Sequence, residues 1–166
     1  MRQEDLPLLR PLRLEALRRH PSAFGVAFEE ERCGDLGRLI GEAPSVTLGG
    51  FVGAALVGSV GMVVPERVKQ RHKGHVVGVY VDPAWRRAGL ARALLDGLIE
   101  QARAQGLVLL TLSVTVGNAA ARSLYVGAGF SVYGVEPRSL RVGDDFLDEE
   151  LMALRLDRTG APVAEG

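Results

Sequence analysis

Between Gly89 and Gln105 the apolar residues Leu90, Leu94, Leu98 and Ala102 recur every four positions, while Arg92, Asp96, Glu100 and Arg103 form a polar face with favourable pairs three and four apart. This pattern predicts the strongest helix of the chain, ended by Gly106. On either side of it lie short apolar runs without helical spacing. "HVVGVYV", His75 to Val81, is closed by Asp82-Pro83, and "LVLLTLSV", Leu107 to Val114, follows Gly106. Both read as buried strands. Leucines and arginines at helical spacing predict a first helix over Leu6 to Arg19, with Pro7 and Pro11 tolerable only in or before its first turn. Pro21 stops it, and a weaker helical segment follows over Ala23 to Leu39, acidic at Glu29-Glu30-Glu31. Asn118 can cap a helix reaching about Val126, and Phe130 to Arg141 and Asp145 to Leu156 predict two strands turning at Val142-Gly143-Asp144.

Pro44 to Pro65 encloses a charge-free run, "SVTLGGFVGAALVGSVGMVV", about as long as the ~20 residues a membrane span needs. Its glycines, its β-branched residues and its break at Gly53-Ala54 favour two buried strands joined by a tight turn, so no membrane association is expected. A charged turn over Glu66 to Lys73 leads into the His75 strand. The strand–helix–strand order around Gly89 to Gln105 implies a right-handed crossover between two parallel neighbours. One domain over 1–157 with a frayed tail over 158–166 is the expected organisation.

Composition narrows the picture only slightly. The 166 residues are 47% hydrophobic and 24% charged with a formal net charge of zero, so nothing points to a nucleic-acid partner and any anion site must be local. All but two of the 20 basic residues are arginine, Lys69 and Lys73 being the exceptions. Cys33 is the only cysteine, which excludes an internal disulfide and a cysteine-rich metal cluster. Met1-Arg2-Gln3-Glu4-Asp5 has no apolar run after it, so a cytoplasmic location is expected.

"WRRAGLARALL", Trp85 to Leu95, is the local exception in charge. Three arginines crowd the start of an apolar helix, the end whose dipole already favours anions. A strand ending at Val81, a short loop and a helix start near Gly89 gather unpaired backbone N–H groups. Gly89 permits close approach, Ala88 and Ala91 keep side chains clear, and Arg86, Arg87 and Arg92 add charge. The arrangement suits a phosphate or diphosphate. The chain lacks GxxxxGK[ST] and GxGxxG, so neither the nucleotide-triphosphatase loop nor the dinucleotide fingerprint fits.

The stretch "VYVDPAWRRAGLARALL" resembles the signature of the GNAT N-acetyltransferase superfamily, Arg/Gln-x-x-Gly-x-Gly/Ala after a strand, here Arg86-x-x-Gly89-x-Ala91. "NAAARSLYVGAGF", Asn118 to Phe130, resembles the superfamily's Asn-x-x-Ala-x-x-Leu-Tyr-x-x-x-Gly-Phe segment. The likeness covers roughly residues 46 to 156. It implies an α+β fold: a mixed, mostly antiparallel twisted sheet of about seven strands, a splayed parallel pair at its centre, and about four flanking helices. It also implies that the loop and helix start, Arg86, Arg87, Ala88, Gly89, Leu90, Ala91 and Arg92, hold the diphosphate of acetyl-coenzyme A, and that Val79, Tyr80 and Val81 pair with its pantetheine arm. No metal is implied.

Acetyl transfer from a thioester to an amine needs a neutral amine, a polarised carbonyl and a proton for the leaving thiolate. By resemblance Tyr125 donates that proton; the alternative is a core aromatic. Asn118 caps its helix and touches the cofactor, or only caps. Arg122 meets the 3′-phosphate, or only solvent. Counting back by twos from Val81 places Val79, Val77 and His75 on one face, and His75 stands where several relatives have a glutamate base; it is otherwise a surface histidine, as His72 and His20 are expected to be. Phe24, Phe28, Glu29 and Glu30 are candidates for binding the acceptor, unless the glutamates are a solvated helix face. The activity so implied is acetyl transfer from acetyl-coenzyme A to a primary amine of a small molecule, such as an amino acid. Alternatives are acetylation of protein N-termini or lysines, and an acyl-coenzyme A sensor without turnover. A homodimer through the last strand pair is also expected.

Overall fold

The computed structural model describes residues 1–34, 40 and 43–157. Four α-helices, α1 (Leu6–Arg19), α2 (Phe28–Cys33), α3 (Leu90–Ala104) and α4 (Ala119–Gly127), accompany six strands. The strands are β1 (Val46–Val52), β2 (Ala55–Val63), β3 (Lys73–Val81), β4 (Leu109–Thr115), β5 (Ser131–Val142) and β6 (Asp145–Arg155). They form one sheet in the order β1-β2-β3-β4-β6-β5. Every neighbouring pair is antiparallel except β3–β4. Among the described residues the sheet therefore has six strands, one fewer than the family resemblance implies.

Both faces of the sheet are covered. On one, α3 buries Leu94, Leu95, Leu98, Ile99 and Ala102 against Val60, Met62, Val76, Val81, Leu110 and Leu112, with Tyr125 and Phe130 of the α4 region completing the core. On the other, Leu12 and Ala16 of α1 pack on Tyr80, with Phe24 and Leu56 at the edge. This two-sided cover is why the charge-free run is apolar at nearly every position: Val57 to Met62 of β2 are all buried. Among the described residues no helix is long and apolar enough to cross a membrane.

Two sequence expectations need correction. Helix α1 runs unbroken through Pro11, well past its first turn. Pro11 lies on the exposed side, and the carbonyl that loses its donor is that of Pro7, still near the helix start. The second helical segment is shorter than expected: a 3₁₀ turn at Pro21–Ala23 and then Phe28–Cys33. Residues 35–39 of that expected segment, and the 158–166 tail, lie outside the described residues.

The feature that positions the site is the β3–β4 junction. The two parallel strands pair only over Lys73↔Leu109, Gly74↔Leu110 and His75↔Thr111. Beyond His75 they diverge, and the β4-facing backbone of Val76 to Val81 has no strand partner. A bulge accompanies the divergence. Between Tyr80↔Ser59 and Val77↔Gly61 the β3 strand carries one extra residue, and Gly78 there has φ +63°, a conformation natural to glycine.

Candidate active site

The bulge overturns the alternation that a count by twos assumes. Val79 and Val81 pack toward α3, but the extra residue at Gly78 shifts the phase, so that Val76 rejoins the α3-side core. His75 therefore shares the α1 face with Tyr80, not the α3 face with Val81. Its Nδ1 lies 3.1 Å from Thr111 Oγ1, at the last rung before the strands part. Burial pushes the imidazole pKa down from the ordinary 6.5, the Glu149 carboxylate opposes that shift, and Lys73 reinforces it.

The loop between β3 and α3 is built by its own hydrogen bonds. Asp82 caps a 3₁₀ turn at Pro83–Trp85, accepting from Ala84 N at 2.8 Å. The chain then takes positive φ twice, at Arg87 (+64°) and Gly89 (+78°). For arginine that conformation costs about 1–2 kcal/mol, the kind of local strain found at ligand-binding loops. The first bond of α3 runs from Ala93 N to Gly89 O at 2.9 Å, which leaves the amides of Leu90, Ala91 and Arg92 without helical acceptors. Nothing lies within 4 Å of where a Cβ would stand on Gly89. The turn has open donors, and space in front of them.

The three arginines that draw attention in the sequence do not act alike. Arg92 clasps Asp96 with Nε at 2.8 Å and donates through Nη1 to Gly127 O at 2.7 Å, tying the first turn of α3 to the end of α4. Arg86 folds back: Nε donates to Val81 O at 3.1 Å, Nη2 donates to His20 Nε2 at 2.9 Å, and the guanidinium lies 5.8 Å from the Tyr80 ring centre. Arg87, of the three, has no side-chain partner among the described residues. The turn thus offers mainly backbone amides, with the Arg87 guanidinium beside them.

His20, expected on the surface, proves to be part of this loop's support. To accept from Arg86 it must present a lone pair at Nε2. Burial, followed by the charges of Arg86 and Arg19, depresses its pKa below the ordinary 6.5. A depressed value means that the unfolded chain binds the proton more readily. The contact's stabilisation is fully present above the ordinary value and is lost as pH falls through the folded one. Acidification below about 6.5 should lower the thermal midpoint of the wild-type protein more steeply than that of H20Q. Parallel profiles would contradict the assignment.

On α4, Asn118 Oδ1 accepts from Ala121 N at 3.3 Å, so the cap is real. Arg122 is exposed and pairs with Glu150 of β6 at 2.7 Å. Tyr125 is 7% exposed, meets Phe130 edge-on at 6.1 Å between ring centres, and has its phenol pKa pushed up to about 12 by burial. Its ring packs in the core, and its phenol stays protonated.

Across the sheet, a cavity of about 580 Å³ opens between the end of α1, the segment Pro21 to Glu30 and the Ser139–Gly143 stretch of β5 and its turn. Phe24, Phe28, Glu29 and Glu30 all line it, together with Arg18, which lies over the Phe28 ring at 4.9 Å. Glu30 is partly committed, its carboxylate accepting from Ala27 N at 2.9 Å. Glu31 is no part of a solvated face: it is fully buried and pairs with Arg13 of α1 at 3.8 Å. Sequence reasoning missed Ser113, Ser139 and Glu149, whose polar side chains meet on the α1 face. The only signal for Ser113 was the alternation of Thr111, Ser113 and Thr115 with apolar residues along β4.

Comparison with known proteins places this architecture. In sequence, the chain is 41% identical over 81 residues to the L-methionine sulfoximine/L-methionine sulfone acetyltransferase of Pseudomonas aeruginosa, a match covering 49% of this chain and 47% of that protein. It is 38% identical over 76 residues to the [Ribosomal protein bS18]-alanine N-acetyltransferase of Escherichia coli, covering 46% and 51%. The matched segment thus spans about half the length of each relative. In structure, it superposes on the acetyltransferase yncA of Salmonella typhimurium, solved with its cofactor acetyl-CoA, with a TM-score of 0.82 at 24% identity, covering 99% of this chain and 95% of that one. The model of the Acetyltransferase (GNAT) family matches residues 9–130, from α1 through the end of α4 and across the whole cradle. The chain belongs to the GNAT acetyltransferase family.

Proposed function

We propose that the protein transfers the acetyl group of acetyl-coenzyme A directly to a primary amine of a small molecule, an amino acid or a similar compound, within one domain over residues 1–157. The observation that carries this reading is the continuity of three features: open amides at the start of α3, an unpartnered β3 edge beyond His75, and a buried phenol on α4. Arg87 to Arg92 hold the diphosphate, with Asn118 beside it. The backbone of Val79 to Val81, which has no strand partner in β4, takes the extended arm as an added strand. Acetyl-coenzyme A supplies an activated thioester.

The residues of this chain then manage protons. Tyr125, held protonated by burial, donates to the departing thiolate sulfur. His75, kept neutral by its depressed pKa, accepts the proton that the ammonium acceptor must lose, directly or through a water. The cavity of about 580 Å³ lined by Phe24, Phe28 and Glu29 has the size of a small-molecule site, which supports a small acceptor.

Thiol release from acetyl-coenzyme A, followed across a panel of amino acids and simple amines, tests the proposal. Amine-dependent release is expected. Binding of the cofactor with no release by any amine would leave only a sensor.

A further inference from the structure

The α1 face of the sheet carries a carboxylate that the scheme above leaves without a task. Ser113 stands two residues beyond the last β3–β4 pair, so its hydroxyl borders the splay. It donates to Glu149 Oε1 at 3.0 Å, while Ser139 donates to Glu149 Oε2 at 2.6 Å. Ser139 also lines the cavity between α1, α2 and β5. Glu149, half-buried on β6, thus stands between the cavity and the splay, and its charge is felt at the His75 imidazole.

The electrostatics of that position are unbalanced. A carboxylate only accepts hydrogen bonds, and each of its oxygens has a second lone pair beyond the one its serine occupies. Among the described residues no basic side chain pairs with Glu149. The nearby cavity arginines are engaged elsewhere, Arg18 over Phe28 and Arg141 with Gly143 O and Asp144. On the opposite face Arg122 is taken by Glu150. A partly desolvated anion fixed by two hydroxyls and lacking a counter-ion gains most from a cationic guest with N–H donors.

We propose that Glu149 binds the ammonium group of the acceptor and holds it at the mouth of the splay. This rests on the acetyl-transfer reading and deepens it, since it makes the acceptor a charged alkylamine and not an uncharged nucleophile. Ser113 and Ser139 are positioning residues that fix the carboxylate between the two compartments.

Steady-state thiol release by wild-type protein, E149Q and S139A tests the assignment with two acceptors: a primary alkylamine, charged at neutral pH, and an arylamine, uncharged there. E149Q should raise the alkylamine KM by about 10- to 100-fold, the loss of one charge-assisted contact, with the KM values for acetyl-coenzyme A and the arylamine unchanged. S139A, which keeps the charge but frees the carboxylate, should raise the alkylamine KM less, and it decides the matter alone if E149Q does not fold. An unchanged alkylamine KM overturns the proposal, and so does an equal rise for both acceptors, which would make Glu149 a structural prop. Wild-type protein that releases no thiol with any amine removes the acetyl-transfer reading itself, and this assignment with it.

Discussion

Y125F is expected to lower kcat by about 10²–10³-fold, within the range of a lost general acid, while leaving affinity for coenzyme A nearly intact. The side chain is packed in the core at 7% exposure, and phenylalanine keeps its ring and its edge contact with Phe130. Only the hydroxyl goes. Because burial holds the phenol pKa at about 12, Tyr125 does not titrate in the working range, and the wild-type pH–rate profile should carry no alkaline limb from it. Thiol release with saturating amine measures the first effect and calorimetric titration with coenzyme A the second. A variant with unchanged kcat would return Tyr125 to a purely packing role.

E31Q is expected to destabilise the protein by about 3–5 kcal/mol, the usual result of removing one member of a buried ion pair. The Glu31 side chain is 0% exposed and that of Arg13 is 10% exposed, so neither charge has water to fall back on. The pair joins α2 to α1, and Arg13 also lies 4.8 Å from the Phe24 ring centre on the cavity side. Loss of the pair should therefore loosen the acceptor cavity while the cradle, on the other side of the sheet, stays formed. Chemical denaturation gives the stability change. Amine KM should rise in the folded protein without a matching rise for acetyl-coenzyme A. A loss below about 1 kcal/mol, typical of exposed pairs, would show that the two charges do not depend on each other.

What the sequence made legible was the part governed by local rules. The four-residue repeat of α3, the glycine after it and the Asn118 cap appear where local periodicity and capping place them. The charge-free run resolved into β1 and β2 at the Gly53-Ala54 break. The cradle was readable because glycine spacing and a strand–loop–helix order are contiguous in the chain.

What escaped depends on contacts between distant segments. Gly78 within the strand is compatible with a local bulge, but a count by twos does not carry the extra residue through, and that residue puts His75 on the other face. The contact of Arg86 with His20, 66 positions earlier, has no local signal in the chain. Glu31 looks like one of three solvated glutamates until α1 closes over it with Arg13. Glu149 sits among acidic neighbours, Asp148 and Glu150, and only the pairing of β4, β5 and β6 separates it from them. Asp148 accepts from Arg138 N, Glu150 pairs with Arg122, and Glu149 meets two serines.

The proposed reaction depends on backbone amides at the opening turn of α3 holding a diphosphate. A crystal structure of the protein with coenzyme A tests it most directly. Diphosphate oxygens are expected about 2.7–3.2 Å from amide nitrogens of residues 87–92, with Arg86 still on His20 and the pantetheine arm along Val79 to Val81. A complex with that turn empty, or with the diphosphate held elsewhere by side chains alone, would contradict it.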